Sequence, residues 1–374
     1  METILPKAKQ PTFHPLKIVK KEQLTKNTFF LEFEIPSEWQ EAFRFEAGQY
    51  VSVKFHHGGK TFIKDYSITS APYEGTIALG IKCNSENSSS EILYKHYNIG
   101  DILEVGEPNG RFTLISKPAE FRTILGFAAG IGITPILSHF KHILHSEPRS
   151  RLLLFYGNKN REEVAFREEL ELLKSQYGER LEVYYFYSQE KIGNPLYEGR
   201  LDDKRLDLII NQLMMIDDTD EEVTLWDSVD EVLICGKGEM IKSLANACYN
   251  NGIPKKNIHF ELFETYNDDI YPVEAEFPLV EQVKVEFQFN GEVFHTVLPD
   301  NRNKILQSLS MQNFKVPFSC KSGICGSCEC QLLEGDVELL ENEYLTEREE
   351  AQGKILACMS FALSQNIKID FDKI

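Results

Sequence analysis

Four cysteines near the end of this 374-residue sequence have a spacing that does chemistry: Cys320, Cys325, Cys328 and, well downstream, Cys358. C-x4-C-x2-C with a distant fourth Cys is a ligand spacing of a [2Fe–2S] cluster, which carries one electron at a time. The loop reads Ser319-Cys320-Lys321-Ser322-Gly323-Ile324-Cys325-Gly326-Ser327-Cys328. Three thiolates converging on one small core need a tightly wrapped backbone. Gly323 and Gly326 allow the unusual φ angles this takes, and small neighbours leave N–H groups free to point at sulfur. Cys358 sits in the apolar stretch Leu356-Ala357-Cys358-Met359, so the fourth ligand arrives from a separate buried segment. The alternative is structural zinc, but zinc sites usually show two short Cys pairs. Cys330 reads as a small packed side chain.

Two further stretches could bind cofactors. Lys64-Asp65-Tyr66-Ser67 lies at a strand end. A cation, an aromatic ring and a hydroxyl in that order suit a flavin: Lys64 for a phosphate, Tyr66 against the ring system, Ser67 toward the flavin N5 region. An ordinary strand end is the plainer reading. Gly126-Phe127-Ala128-Ala129-Gly130-Ile131-Gly132-Ile133-Thr134-Pro135 follows a strand and opens a helix, the setting in which backbone N–H groups meet a pyrophosphate. Cys235-Gly236 ends the apolar run Val232-Leu233-Ile234. In open α/β sheets such strand ends line the ligand crevice. Cys235 therefore reads either as a neighbour of a nicotinamide ring or as a buried Cys in a βα turn.

These pieces need scaffolds, and the chain changes rhythm twice. Residues 10–118 carry short β-rich runs such as Thr28–Phe33, Tyr50–Phe55 and Ile77–Ile81 between turns such as His57-Gly58-Gly59, which predicts an antiparallel β-barrel. Residues 119–271 alternate strand and helix patterns, which predicts a doubly wound α/β domain with helices near Ile136–Leu144, Glu162–Leu173 and Met240–Leu244. The stretch from Thr265 to Gln282 has the composition of a linker, placed at 272–282. In 283–374, Val283–Phe289 alternates, Asn290-Gly291 turns, Val293–Leu298 returns and a short helix covers Asn303–Met311: an α+β ferredoxin (β-grasp-like) domain. The acidic stretch Ile216–Asp230 reads as a surface insertion.

The order of these motifs resembles ferredoxin–NADP reductase-type flavoproteins fused to a C-terminal plant-type ferredoxin. Phe13-His14-Pro15-Leu16, Phe45-Glu46-Ala47-Gly48-Gln49-Tyr50, the Tyr66-Ser67 motif, Gly130–Pro135, Tyr156-Gly157-Asn158, Gly199-Arg200-Leu201-Asp202 and the cysteine loop all fit. Within that family the chain is most similar to reductase components of phenylacetyl-CoA ring-epoxidising oxygenases. The resemblance implies FAD, a [2Fe–2S] cluster and a nicotinamide nucleotide, with an oxygenase component as electron acceptor. It implies that Tyr66 and Ser67 flank the isoalloxazine and that Ser90 contacts a phosphate. Gly130, Gly132 and Thr134 would face the nucleotide pyrophosphate, and Cys235 and Gly236 its reacting ring. Ser67 and Cys235 would then stand at the reacting atoms. Lys64 stands where the family has Arg, a point charge in place of a bidentate fork. Lys159, Arg161 and Arg200 are the cations placed to meet a 2′-phosphate, so NADPH is expected, with NADH the alternative. A two-electron donor and a one-electron acceptor need the flavin between them. A plant-type cluster lies near about −400 mV, low enough for a di-iron or Rieske acceptor. Other readings are a reductase for a cytochrome or Rieske dioxygenase, with FMN in place of FAD, and a redox sensor without turnover.

The net charge of −18 argues against nucleic acid. No apolar run approaches the ~20 residues that span a bilayer. Met1–Pro15 lacks an apolar signal core, and the cysteines form no disulfide framework, so a cytoplasmic location is expected.

Overall fold

The computed structural model describes residues 12–213, 225–263, 266, 268–271, 276–318 and 320–373. Ser319, residues 216–224 of the acidic stretch and 272–275 of the proposed linker lie outside that set. Two compact units divide the chain near residue 264.

The first unit opens with strands β1 (Phe13–Thr25), β2 (Thr28–Glu34), β3 (Tyr50–His57), β4 (Lys60–Ser67) and β5 (Ile77–Lys82), then helix α1 (Ser89–His96) and β6 (Ile102–Gly106). They form one sheet in the order β4-β3-β6-β1-β2-β5, antiparallel throughout. A bridge between Ile68 and Leu79 joins the two edges and curls the sheet into a barrel. Alternation drives the closure: Leu16 and Ile18, Phe29, Leu31 and Phe33, and Val51, Val53 and Phe55 all point into one buried core.

Next come β7 (Thr123–Ala129), α2 (Ile133–Ser146), β8 (Arg151–Asn158), α3 (Arg167–Tyr177), β9 (Leu181–Tyr187), α4 (Asp203–Leu213), β10 (Val229–Gly236), α5 (Gly238–Asn250) and β11 (Ile258–Leu262). The five strands are parallel in the order β11-β10-β7-β8-β9. The order reverses between β7 and β10, which makes their C-terminal ends the ligand crevice. Two local expectations shift. The helix expected from Glu162 starts at Arg167, because Val164, Ala165 and Phe166 are drawn into the core and Phe166 turns through φ 59°. The Phe166 ring packs edge-on against Phe30 of the barrel, so tertiary contact overrides the helical pattern. The acidic stretch is not an insertion to its end: Val229 and the exposed Asp230 belong to β10, and the Asp230 carboxylate accepts the Thr123 N–H.

Barrel and parallel sheet meet along α2. The Ser138 hydroxyl donates to the Ser70 carbonyl at 2.6 Å, and buried Lys141 ion-pairs with Glu74 and Glu169, each at 2.8 Å. His139 reaches the Phe112 carbonyl at 2.8 Å.

The second unit contains β12 (Glu281–Phe289), β13 (Glu292–Asp300), α6 (Ile305–Met311), β14 (Glu329–Glu334), β15 (Val337–Leu339), α7 (Glu347–Ala351), β16 (Lys354–Leu356), β17 (Ser360–Ala362) and β18 (Asn366–Asp370). Its main sheet runs β13-β12-β18-β14-β16, and β15 pairs with β17. Asn290 and Gly291, at φ 54° and 77°, make the tight hairpin read from the sequence. Leu306 and Leu309 of α6 pack with Val285, Phe287 and Ile369 of the sheet.

Gly48 shows how tightly the barrel meets α2. Its φ is +91°, and a Cβ there would lie 1.9 Å from the Phe112 carbonyl oxygen and 2.2 Å from His139 Nε2. Gly48→Ala is expected to cost about 2 kcal/mol or more. Calorimetry of the first unit's transition should show its Tm fall by roughly 4–8 °C.

Candidate functional site

Tyr66 and Lys64 share one face of β4, opposite Val51 and Val53 of β3. Lys64 is exposed, and no carboxylate pairs with it among the described residues. Tyr66 is partly buried, and burial pushes its phenol up to about 12, with the Ser90 side chain near enough to oppose the shift. The structure therefore brings Ser90 to Tyr66, at the N-terminal turn of α1. An unpaired ammonium, a half-covered ring and a helix N-terminus suit an anionic flavin nucleotide.

Ser67 faces the other way, paired across the ladder with Tyr50. Its hydroxyl donates to the Glu261 carboxylate on β11 at 3.2 Å. Glu261 is mostly shielded from water, and that desolvation pushes it up to about 7, against the pull of the Ser67 hydrogen bond. Its charge also reaches Cys235, whose thiol burial pushes well above its usual range. Ser67, Glu261 and Cys235 thus gather where the barrel's strand end meets the crevice. The Cys235 side chain itself is fully buried in the α/β core.

Gly132 explains why the crevice is so close. A Cβ there would lie 2.3 Å from the Cys235 carbonyl oxygen, so only glycine lets the turn after β7 touch the end of β10. Gly236 packs against Ala129 and Met240 on the same side. Gly130 has φ +53°, and its carbonyl accepts the Tyr156 hydroxyl. Thr134 turns its hydroxyl back to the Ile131 carbonyl. No side chain caps α2, but the Ile133 amide already donates to the Gly130 and Ile131 carbonyls and Pro135 has no N–H, so only part of the first turn is left for a phosphate.

The three cations expected at a 2′-phosphate are spread over the ends of β8 and β9. Lys159 pairs with Glu163 at 3.6 Å. Arg161 pairs with Glu190 at 3.4 Å and lies over the Tyr187 ring. Arg200 is exposed, two residues past the bridge from Tyr187 to Glu198.

Two residues escaped the sequence reading. One is Glu261, whose placement at the end of the last parallel strand was the available signal. The other is Lys82, at the end of β5. Its ammonium lies 3.8 Å from where a Gly130 Cβ would be and 3.5 Å from Glu163, so it offers charge at the glycine turn.

In the second unit the four thiols group in two pairs. The Cys320 thiol donates to Cys325, which lowers Cys325 to about 5 and raises Cys320. The Cys358 thiol likewise donates to Cys328. Amides of Cys320, Ser322, Cys325, Ser327 and Cys358 point at these sulfurs at 3.4–3.5 Å. Gly323 and Gly326 both have positive φ, and a Cβ on them would strike the Glu341 carbonyl and the Tyr344 ring. Among the described residues no group of three or more such side chains closes on a single ion. Two thiol pairs ringed by amides fit a two-iron core better than one tetrahedral zinc. Cys330 packs in the core beneath them.

The fold and these sites define an electron-transfer oxidoreductase with an FAD domain, a nicotinamide-nucleotide domain and a [2Fe–2S] domain. Residues 15–114 match the oxidoreductase FAD-binding domain family, 127–246 the oxidoreductase NAD-binding domain family and 287–363 the 2Fe-2S iron-sulfur cluster binding domain family. The chain belongs to the family of ferredoxin–NADP reductase-type flavoproteins fused to a C-terminal plant-type ferredoxin. It is 31% identical over 364 residues to one of the subunits of 1,2-phenylacetyl-CoA epoxidase from Escherichia coli K12 (96% of this chain, 98% of the relative). It is also 28% identical over 354 residues to the ferredoxin reductase component of 3-ketosteroid-9-alpha-monooxygenase from Rhodococcus rhodochrous, covering 93% of each chain. Among solved structures, phthalate dioxygenase reductase shares the fold at TM-score 0.50 and 24% identity, over 96% of this chain and 98% of that one. No helix among the described residues is long and apolar enough to cross a membrane.

Glu261 gives a pH signature. Its carboxyl moves from an ordinary 4.5 to about 7 in the folded protein. Between these values the unfolded chain releases the proton while the folded one keeps it, so stability falls as pH rises from 4.5 to 7 and then levels. Glu261→Gln is expected to flatten that slope and to gain up to about 3 kcal/mol at pH 8. Thermal unfolding across pH 4.5–8 checks it; parallel curves for the two proteins would count against it.

Proposed function

We propose that this protein takes electrons from NADPH and passes them, through FAD and its [2Fe–2S] cluster, to an oxygenase component of the phenylacetyl-CoA epoxidase type. The observation that carries the reading is the contact of Ser67 with Glu261 at the crevice, beside the β10 strand end, in a chain similar along almost its whole length to a component of 1,2-phenylacetyl-CoA epoxidase. When bound, the flavin converts a two-electron donor into single electrons, and the cluster carries them one at a time. The chain's own part is alignment. Tyr66 covers one face of the flavin ring, and Lys64 with the α1 terminus holds its phosphates. Gly130, Gly132 and Thr134 let the nucleotide pyrophosphate sit on the α2 terminus, with Lys82 beside it. Cys235 and Gly236 end the strand under the nicotinamide, and Ser67 holds the Glu261 carboxyl in place at the reacting edge.

A second acceptor class has support of its own: the 3-ketosteroid monooxygenase reductase covers the chain almost as fully at 28% identity. Coupled assays separate the two. The reading requires product formation with a phenylacetyl-CoA oxygenase component. Turnover only with Rieske-type oxygenases would replace it.

Cys325→Ser is expected to abolish the cluster and leave flavin reduction by NADPH intact. Anaerobic titration should then fall from three electron equivalents to two. Loss of flavin reduction as well would contradict the modular reading.

The donor preference rests on Lys159 and Arg161, which are already paired with Glu163 and Glu190. Less charge is left for a 2′-phosphate than the cations alone imply, so the preference for NADPH over NADH is modest. Removing one exposed pairing changes about 1 kcal/mol at most. Glu190→Gln should therefore raise the NADPH/NADH ratio of kcat/KM by roughly two- to fivefold. An unchanged ratio would remove Arg161 from the nucleotide site.

A further inference from the structure

Lys321, the residue after the first cluster cysteine, adopts φ +55° although it is not glycine. A lysine held in that conformation costs on the order of 1 kcal/mol or more and persists only where its surroundings fix it. Here they do. The Lys321 ammonium donates to the Tyr266 carbonyl at 2.7 Å and lies 4.8 Å from the centre of the Phe318 ring. Ile270 and Tyr271 are buried, and Asp269 pairs at 2.8 Å with Lys304, itself only 3% exposed. The stretch before the ferredoxin sheet is thus anchored on the cluster loop, and it fixes one positive charge there. That charge interacts with Cys358 and with the Asp269 carboxylate.

The setting is otherwise negative. Four thiolates already surround the cluster site, the Glu341–Glu343 backbone packs against Gly323, and the chain carries −18 overall. Cluster potentials follow net charge, amide hydrogen bonds and exposure. We infer that Lys321, pinned by the Tyr266 carbonyl and the Phe318 ring, sets the cluster's reduction potential by favouring the reduced form electrostatically. This deepens the proposed function and rests on its [2Fe–2S] reading. It assigns a role to the segment before the ferredoxin sheet beyond that of a spacer: it belongs to the cluster site.

The test is an anaerobic EPR-monitored redox titration of the full-length protein with flavin and cluster loaded. Lys321→Gln should shift the one-electron equilibrium toward the oxidised cluster by about three- to tenfold, or ~28–59 mV lower. Lys321→Arg should restore the parent potential. Lys321→Met, which keeps the length of the side chain without its charge, should give the same shift, and it decides the matter if Lys321→Gln does not load a cluster. An unmoved midpoint in either uncharged variant, with the cluster signal intact, overturns the inference. Absence of a [2Fe–2S] signal in the parent protein overturns the cluster reading instead.

Discussion

Close backbone approach at Gly132 is the constraint on which the flavin–nucleotide half of the structure depends. The turn after β7 lies so near the end of β10 that a single methyl group would overlap the Cys235 carbonyl. That contact closes the switch point of the parallel sheet and fixes where α2 begins. The direction of α2 then decides where its far face meets the barrel. The apposition of Ser67 and Glu261 follows at the end of this sequence, since one residue sits on each side of the seam. A local backbone property thus sets the geometry of a site built from distant parts of the chain.

The seam itself is polar, which is unusual for a buried contact. Burial works against the Lys141 charge, yet Glu169 and Glu74 together hold its pKa above the ordinary value. Desolvating such groups offsets most of their attraction, so the pair adds little net stability. Its effect is on register: an ammonium between two carboxylates, and within 3.3 Å of the Thr69 carbonyl, is satisfied at one placement of α2 on the barrel. A purely apolar seam would tolerate sliding. Here a slide would strand a buried charge, at far greater cost. Thr69 is two residues from Ser67, so the register that satisfies Lys141 also places the proposed flavin contact.

Local features were legible in the sequence. The cysteine loop, the Asn290-Gly291 hairpin and the strand–glycine–helix unit at Gly130 are each written within a few neighbouring residues, because φ angles and ligand spacing are local properties. Glu261 was not legible. It stands 194 residues from Ser67, and nothing in Ile258-His259-Phe260-Glu261-Leu262 marks it off from any strand-end carboxylate. The start of α3 failed for a related reason: Phe166 is drawn to a barrel residue that no helical pattern contains. Lys159 and Arg161 were found as cations, but their carboxylate partners were not. Glu163 is near in sequence and reads as a helix-start acid, and Glu190 lies on another strand's exit.

The two redox sites also differ in what holds them. The proposed flavin and nicotinamide contacts lie on strand ends and two helix termini, so their precision comes from two packed cores. The cluster cysteines Cys320, Cys325 and Cys328 lie on a loop without regular structure, and only Cys358 closely follows a strand. A loop gains precision differently, through amide-to-sulfur hydrogen bonds and through neighbours that leave no room for displacement, as Tyr344 and Glu341 do against the two glycines. The four thiols share protons pairwise, which is a compromise among groups with like charge when ionised. Metal ions remove that conflict by taking all four as thiolates. Holding four thiolates together is therefore expected to tie the cysteine loop to the segment after β16, in addition to the buried core that the second unit has, as the first unit has its own.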